Sequence, residues 1–172
     1  SMGGGYHFID GFGGMRSGDI FFDVTGDATY GTDGVSLQNG YDFVIDVNWS
    51  GGSYNIYTLS NADNLVDVIN YNSPYSSPWQ YTGGGAGETK VGSGNFSFFN
   101  DGTAGYPYYV TGFDLSFLNT YGYVFTAHFT MECGNDNLIG STAPVPEPAT
   151  MLLLGAGIIG LAGVTRRKNI TN

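Results

Sequence analysis

The feature that most limits the fold is a period-two alternation of apolar and polar residues, interrupted at short intervals by glycine. The alternation is longest at residues 121–131 and recurs at residues 41–48 and 113–118. Successive side chains of a strand point to opposite faces, so such a run predicts a strand with one face in the core and its acids in water. The 29 glycines follow no three-residue period, and they predict turns between strands instead of a fibrous chain.

Shorter aromatic and β-branched runs add strands to these three. They lie at residues 6–9, 19–25, 53–59, 95–99 and 106–111. Residues 60–69 place apolar side chains at helical spacing and fit either a short helix or a loop. About eight antiparallel strands predict one all-β domain over residues 1–139, a two-sheet sandwich with a jelly-roll-like topology. A barrel is the alternative.

The charge of this domain limits its partners. Residues 1–145 contain fourteen acidic residues against two basic ones, Arg16 and Lys90, so their net charge is −12. Nucleic acid is bound through clustered Lys and Arg side chains, which this part of the chain lacks. The composition predicts no nucleic-acid partner and suits a hydrated, extracellular setting.

One aromatic loop is a candidate carbohydrate-binding site. Residues 70–82 carry four aromatic side chains between and around two prolines. These are Tyr71, Tyr75, Trp79 and Tyr81. Aromatic faces stack on the C–H groups of sugars, so an exposed loop of this composition can bind glycans. The alternative is that the rings fold inward and attach the loop to the sandwich.

Acidic turns offer a possible calcium site. Asp27 and Asp33 are the first candidate ligands, because carboxylates in turns are joined there by backbone carbonyl oxygens. Their spacing does not match an EF-hand. Asx turns, in which each side chain bonds its own backbone, account for the same residues without a metal.

The sequence contains none of the familiar catalytic motifs. It has no Gly-x-Ser-x-Gly, no His-Glu-x-x-His and no phosphate-binding loop ending in Gly-Lys-Ser or Gly-Lys-Thr. A pair of carboxylates that meet only in space would escape such a search. The interpretation is a protein that is not an enzyme.

The C-terminal segment differs in composition from the domain. A proline-rich linker at residues 140–148 precedes an uncharged stretch at residues 149–164, and the basic triplet Arg166, Arg167 and Lys168 follows. Sixteen uncharged residues form a helix about 24 Å long, close to the shortest that spans a bilayer. Residues 149–165 are therefore predicted to be a transmembrane helix, with a basic cytoplasmic tail at residues 166–172 and the domain outside.

This tail resembles the PEP-CTERM sorting signal of exported bacterial proteins. The resemblance rests on Pro146, Glu147 and Pro148, a short helix rich in Leu, Gly and Ala, and the basic triplet, in that order. It covers only about the last 25 residues. The resemblance implies that an exosortase, a membrane-embedded enzyme, recognises Pro146–Pro148 as its substrate, and that the basic triplet serves as a membrane stop.

The resemblance and the composition together lead to two hypotheses for function. The first is an exported, non-enzymatic protein of the cell surface or extracellular matrix that associates with exopolysaccharide and passes through the inner membrane in unprocessed form. Self-association through an exposed strand edge is a variant of it. The second is a carbohydrate-binding module that uses the aromatic loop. Residues 1–5 have no leader features, so the export signal is expected outside the given sequence.

Overall fold

A computed structural model describes residues 2–4, 8, 13–28, 40–60, 64–70, 76–83, 85–100, 108–122, 124–135 and 137–142. The chain divides into two units, Ser1–Thr142 and Ala143–Asn172, and all described residues lie in the first. Their strands are β1 (Met2–Gly4), β2 (Ser17–Asp23), β3 (Phe43–Asn48), β4 (Ser53–Thr58), β5 (Leu65–Val66), β6 (Gln80–Tyr81), β7 (Lys90–Asn95), β8 (Ser97–Asn100), β9 (Tyr108–Thr111), β10 (Thr126–Met131) and β11 (Leu138–Ser141).

The largest sheet has six strands in the order β11-β10-β2-β3-β4-β7, and every pair is antiparallel. The register places Ile20 beside Ile45, Ile45 beside Ile56, and Phe129 beside Ile20. These four side chains are almost fully buried. Branched and aromatic residues that face one another across strands contribute much of the stability of a sheet, so this row forms the centre of the fold.

The main core lies on one face of this sheet. It contains buried residues of β2, β3, β4 and β10 together with Val110 of β9, and Phe98 of β8 packs against them. β8 and β9 belong to a three-stranded sheet in the order β1-β9-β8. The two sheets therefore share one hydrophobic core.

A second cluster covers the opposite face. Phe21 and Val44 point to this side, where they pack with Tyr41, Leu65 and Tyr81. Leu65 and Tyr81 come from the two-stranded pair β5 and β6. Because both faces of the large sheet are covered, all seven residues of β2 are buried.

These observations confirm the antiparallel all-β class. The jelly-roll topology is not supported, because three sheets of six, three and two strands are present in the described residues. Most neighbouring strands of the six-stranded sheet are also neighbours in sequence, as in a meander. β11 runs to Ser141, two residues past the predicted end of the domain.

Two local predictions were wrong, and one open alternative was decided. Residues 113–118 were predicted as a strand, but Ser116–Tyr121 form a 3₁₀ helix that buries Leu118. Gly122 ends this helix in the left-handed conformation (φ 65°), so the long strand predicted from residue 121 starts only at Thr126. Within residues 60–69, which fitted either a short helix or a loop, the structure has the strand β5, and its backbone pairs with β6.

Among the described residues, no helix is long and apolar enough to cross a membrane. The predicted helix at residues 149–165 lies outside them, as do the linker residues 143–148 and the basic tail.

Gly18 offers a direct test of how closely β2, β10 and the segment before β6 approach one another. A Cβ at this position would collide with the backbone carbonyl oxygens of Trp79 and Thr130. Because backbone atoms cannot rotate away, Gly18→Ala should lower the free energy of unfolding by at least about 3 kcal/mol, as measured by urea unfolding. Gly140→Ala on β11 is the control, since no atom lies within 4 Å of its Cβ position. Equal stability of the two variants would contradict the packing described here.

Candidate functional site

The carboxylate of Asp19 joins three strands at one point. Its Oδ1 accepts the backbone N–H of Val47 at 2.9 Å, and its Oδ2 accepts that of Tyr81 at 2.8 Å. The Asp19 N–H in turn donates to the carbonyl of Trp79. The Asp19 carboxylate thus accepts backbone N–H groups that have no strand partner where β2 and β3 separate. Burial raises the pKa of Asp19 to about 7, although the two N–H donors oppose the shift.

A pocket of about 250 Å³ opens beside this junction. We call it the Asp19 pocket. Its polar lining includes Arg16, Asp19, Asp46 and Gln80, and its aromatic lining includes Trp49 and Trp79. Burial also raises the pKa of Asp46, and a side-chain hydrogen bond from Asn55 opposes this shift. The pocket therefore combines two carboxylates, a guanidinium, an amide and both tryptophans of the chain.

Trp79 does not present an open ring to solvent. It is 3% exposed, and the guanidinium carbon of Arg16 lies 4.8 Å from the centre of its ring. Arg16 is held there by a two-pronged ion pair with Glu132, with N–O distances of 3.1 and 3.2 Å. The prediction that Trp79 stacks on a glycan as part of an exposed loop is not supported, because the ring already has protein neighbours.

Tyr81 is buried as well. Its ring packs against Tyr57, and its hydroxyl donates to Glu88 at 2.6 Å. Glu88 also accepts the side-chain amide of Asn64 and the backbone N–H of Gly85. Tyr81 therefore fastens β6 to the glycine-rich loop and is not a sugar platform. The other two predicted glycan residues, Tyr71 and Tyr75, lie outside the described residues.

The carboxylate of Asp27 lies close to two other carboxylates. These come from residues at or next to strand ends and not from the acidic turns. Oxygen atoms of Asp23, Asp27 and Asp42 lie within 4.8 Å of one another. The second predicted ligand, Asp33, lies outside the described residues. Asp23 and Asp42 lie near the paired ends of β2 and β3, where the alternation predicts acids in water.

The same carboxylates already serve as hydrogen-bond acceptors. Asp23 accepts the backbone N–H groups of Thr25, Gly26 and Ala28 at 2.6–3.1 Å. Asp42 accepts those of Val24 and Thr25. The cluster thus organises the turn after β2 without a metal, and calcium binding stays a prediction.

His128 is buried on the second face of the six-stranded sheet, where its ring packs against those of Phe21 and Tyr41. Its Nε2 lies 2.9 Å from the carbonyl oxygen of Pro78, so Nε2 carries the proton of the neutral ring. Burial lowers the pKa of His128 to about 4 against the opposing effect of this hydrogen bond. His128 secures the segment before β6 to β10.

The acids of this region could have been recognised in part from the sequence. Asp19 directly precedes the apolar run Ile20-Phe21-Phe22, and a continuous apolar run indicates a strand that is buried on both faces. An acid at the end of such a strand is buried with it. No comparable signal links Asp19 to Val47, Tyr81 or Trp79, which are distant in sequence.

The sorting residues Pro146, Glu147 and Pro148 and the basic residues Arg166, Arg167 and Lys168 lie outside the described residues. Comparison with known families nevertheless identifies this segment: the PEP-CTERM protein-sorting motif matches residues 144–168. The match confirms the resemblance. No curated protein and no solved structure matches the chain. The motif marks an exported protein that is targeted to the cell envelope and sorted by an exosortase-type enzyme.

Asp19 and His128 should give opposite pH dependences of stability. The folded domain keeps the Asp19 proton up to about pH 7, whereas the unfolded chain loses it near pH 4, so this group lowers stability as pH rises between these values. The folded domain keeps His128 neutral down to about pH 4, whereas the unfolded chain binds a proton below about pH 6.5, so this group raises stability over that range.

Single variants separate these two effects. Between pH 4 and 6.5, the urea midpoint of Asp19→Asn should rise with pH relative to wild type, and that of His128→Gln should fall. Both trends are differences from wild type, so that the titration of acids remote from the two sites cancels. Parallel pH profiles for the three proteins would contradict the assigned protonation states.

The turn after β2 should depend on Asp23. Asp23→Ala removes the acceptor of three backbone N–H groups at a buried position and should lower the free energy of unfolding by about 3 kcal/mol. Asp114→Ala is the control. This exposed carboxylate accepts the N–H of Ser116, and its loss should cost less than about 1 kcal/mol. Urea unfolding followed by tryptophan fluorescence compares the two, and equal losses would show that the Asp23 contacts carry no special stability.

Proposed function

We propose that this exported protein is a non-enzymatic component of the cell surface or extracellular matrix and associates with exopolysaccharide. The observation that carries the proposal is the PEP-CTERM motif at residues 144–168, which begins two residues after the β-rich unit ends at Thr142. The sorting enzyme acts on the motif, so the chain is its substrate. The β-rich unit is then the part that remains at the surface or in the matrix.

The charge of the domain supports this location. Fourteen acids and two bases over residues 1–145 give a surface that stays hydrated and resists nonspecific binding to anionic polymers and membranes. The described acids that are buried mostly bond to backbone N–H groups of their own domain, as Asp19 and Asp23 do. This allows a stable fold with very few Lys and Arg side chains.

The glutamates support a role without catalysis. Glu88 bonds Tyr81, Asn64 and Gly85, and Glu132 forms the ion pair with Arg16. The Arg16 hydrogen bond lowers the pKa of Glu132 below its ordinary value. A general acid needs a free oxygen near the substrate, and the carboxylate oxygens of both glutamates are already engaged in these contacts.

The sorting part of the proposal predicts a processed protein. Replacing Pro146, Glu147 and Pro148 by alanines in the producing cells should leave full-length protein in the inner membrane, because the recognition element is gone. Wild type should be found outside the inner membrane with a C-terminus near Pro146. Intact mass after cell fractionation measures both. Alanines at Asn169, Ile170 and Thr171 serve as the control, since these residues lie beyond the matched segment.

The association with exopolysaccharide is measured on the same cells. Size-exclusion chromatography of the extracellular fraction should show the processed protein eluting with the high-mass polysaccharide. A wild-type protein that stays full-length in the inner membrane and is indifferent to the replacement would reduce the tail to an ordinary anchor. Processed protein that elutes alone would overturn the association while leaving sorting intact.

A further inference from the structure

The Asp19 pocket has the composition of a binding site for a small polar ring. Its volume of about 250 Å³ is just below the roughly 300–1,000 Å³ of pockets that hold drug-sized ligands. Trp49 and Trp79 supply apolar lining, and Asp46, Gln80 and Arg16 supply hydrogen-bonding groups. A ligand must therefore be small, partly apolar and rich in both donors and acceptors.

One hydrogen-bond donor among the residues that line the pocket lacks an acceptor. The Nε1–H of Trp49 donates to the carbonyl of Gly18 at 3.0 Å, whereas the buried Nε1–H of Trp79 has no acceptor among the described residues. A buried donor without an acceptor costs about 1–3 kcal/mol. The side chain of Arg16, which lies over the Trp79 ring, is 65% exposed and lines the same pocket.

The charges of the pocket disfavour ionic ligands. The carboxylate of Asp46 repels an anion such as a phosphate or a uronate. A metal ion is disfavoured because both oxygens of Asp19 already accept backbone N–H groups, and because the guanidinium of Arg16 lines the same pocket. An organic cation is repelled by that same guanidinium. A neutral ligand avoids all three of these unfavourable interactions.

We propose that the Asp19 pocket binds one neutral sugar residue. Its hydroxyls would donate to Asp46 and accept from Gln80 and Arg16, which line the pocket together with the edges of the two buried indoles. The source of the sugar rests on the proposed function: the ligand is an end or side-branch residue of the surrounding exopolysaccharide. This site is distinct from an exposed aromatic loop, since its tryptophans are walls of a pocket and its specificity comes from strand residues.

The two tryptophans make the proposal directly measurable. Both indoles of the chain line the pocket, so the two indole N–H resonances of the ¹⁵N-labelled full chain report on it. The chain is kept in a detergent without a sugar headgroup and titrated with D-glucose, D-galactose and D-mannose. We expect a saturable shift with at least one of them, with a dissociation constant in the millimolar range. D-Glucuronate and D-glucosamine, which have similar rings and opposite charges, should bind more weakly.

Asp46→Asn should weaken binding at least about tenfold, because a charge-assisted hydrogen bond to a hydroxyl is lost. Gln80→Ala provides a second variant that leaves the charge of the pocket unchanged. Asp114→Asn is the matched control, since it makes the same charge change at an exposed carboxylate outside the pocket lining. Thermal unfolding of each variant shows that the domain is folded.

Several results would overturn the proposal. These are no saturable shift with any neutral hexose, equal affinity in wild type, Asp46→Asn and Gln80→Ala, or tighter binding of glucosamine or glucuronate than of the neutral sugars. Competition of the bound hexose by purified exopolysaccharide identifies the polymer as the source. Loss of hexose binding while the processed protein still elutes with polysaccharide would reject the pocket and keep the proposed function. If the protein binds hexose but elutes without polysaccharide, the pocket is kept and the association with exopolysaccharide is rejected.

Discussion

The side chain of Asp19 holds β2, β3 and β6 at one junction, and much of the surrounding structure depends on it. β3 leaves β2 near this point, and the Asp19 carboxylate satisfies the N–H groups of Val47 and Tyr81 that would otherwise be buried without acceptors. The absence of a side chain at Gly18 lets the carbonyl of Trp79 approach β2. The segment before β6 can therefore lie across the sheet, which places Trp79 beside Trp49 and creates the pocket between them.

The same use of carboxylates recurs elsewhere in the domain. Asp23 fixes the turn after β2 through three backbone N–H groups, and Glu88 fixes the glycine-rich loop through Gly85, Asn64 and Tyr81. Glycine-rich turns lose much conformational entropy on folding, and charged hydrogen bonds to their backbone offset part of that loss. The single cysteine cannot form a disulfide within the chain, so these contacts and the aromatic core stabilise the fold.

The tail and the domain have separate tasks in this protein. The sorting motif marks the chain as an exported substrate of an exosortase-type enzyme, and it does so through a short linear sequence. What the exported part does depends on the folded unit, whose two buried acids among the described residues, Asp19 and Asp23, bond backbone groups. The proposed sugar pocket connects the two, because a matrix protein that holds single sugar residues would be retained by the polymer around it.

The local sequence pattern was sufficient to predict those features that a single short segment determines. Alternation and β-branched residues located most of β2, β3, β4, β9 and β10, and the order of Pro146–Pro148, apolar stretch and basic triplet identified the sorting motif, since both signals are contained in neighbouring residues. The 3₁₀ helix at Ser116–Tyr121 was missed because alternation over six residues cannot distinguish a strand from a short helix that buries Leu118 in the main core. The inward position of Trp79 and Tyr81, the meeting of Asp23, Asp27 and Asp42, and the Asp19 pocket were decided only by the tertiary structure. Each of them joins residues that are far apart in sequence, and the burial that sets the pKa of Asp19 and His128 exists only after the sheets have packed.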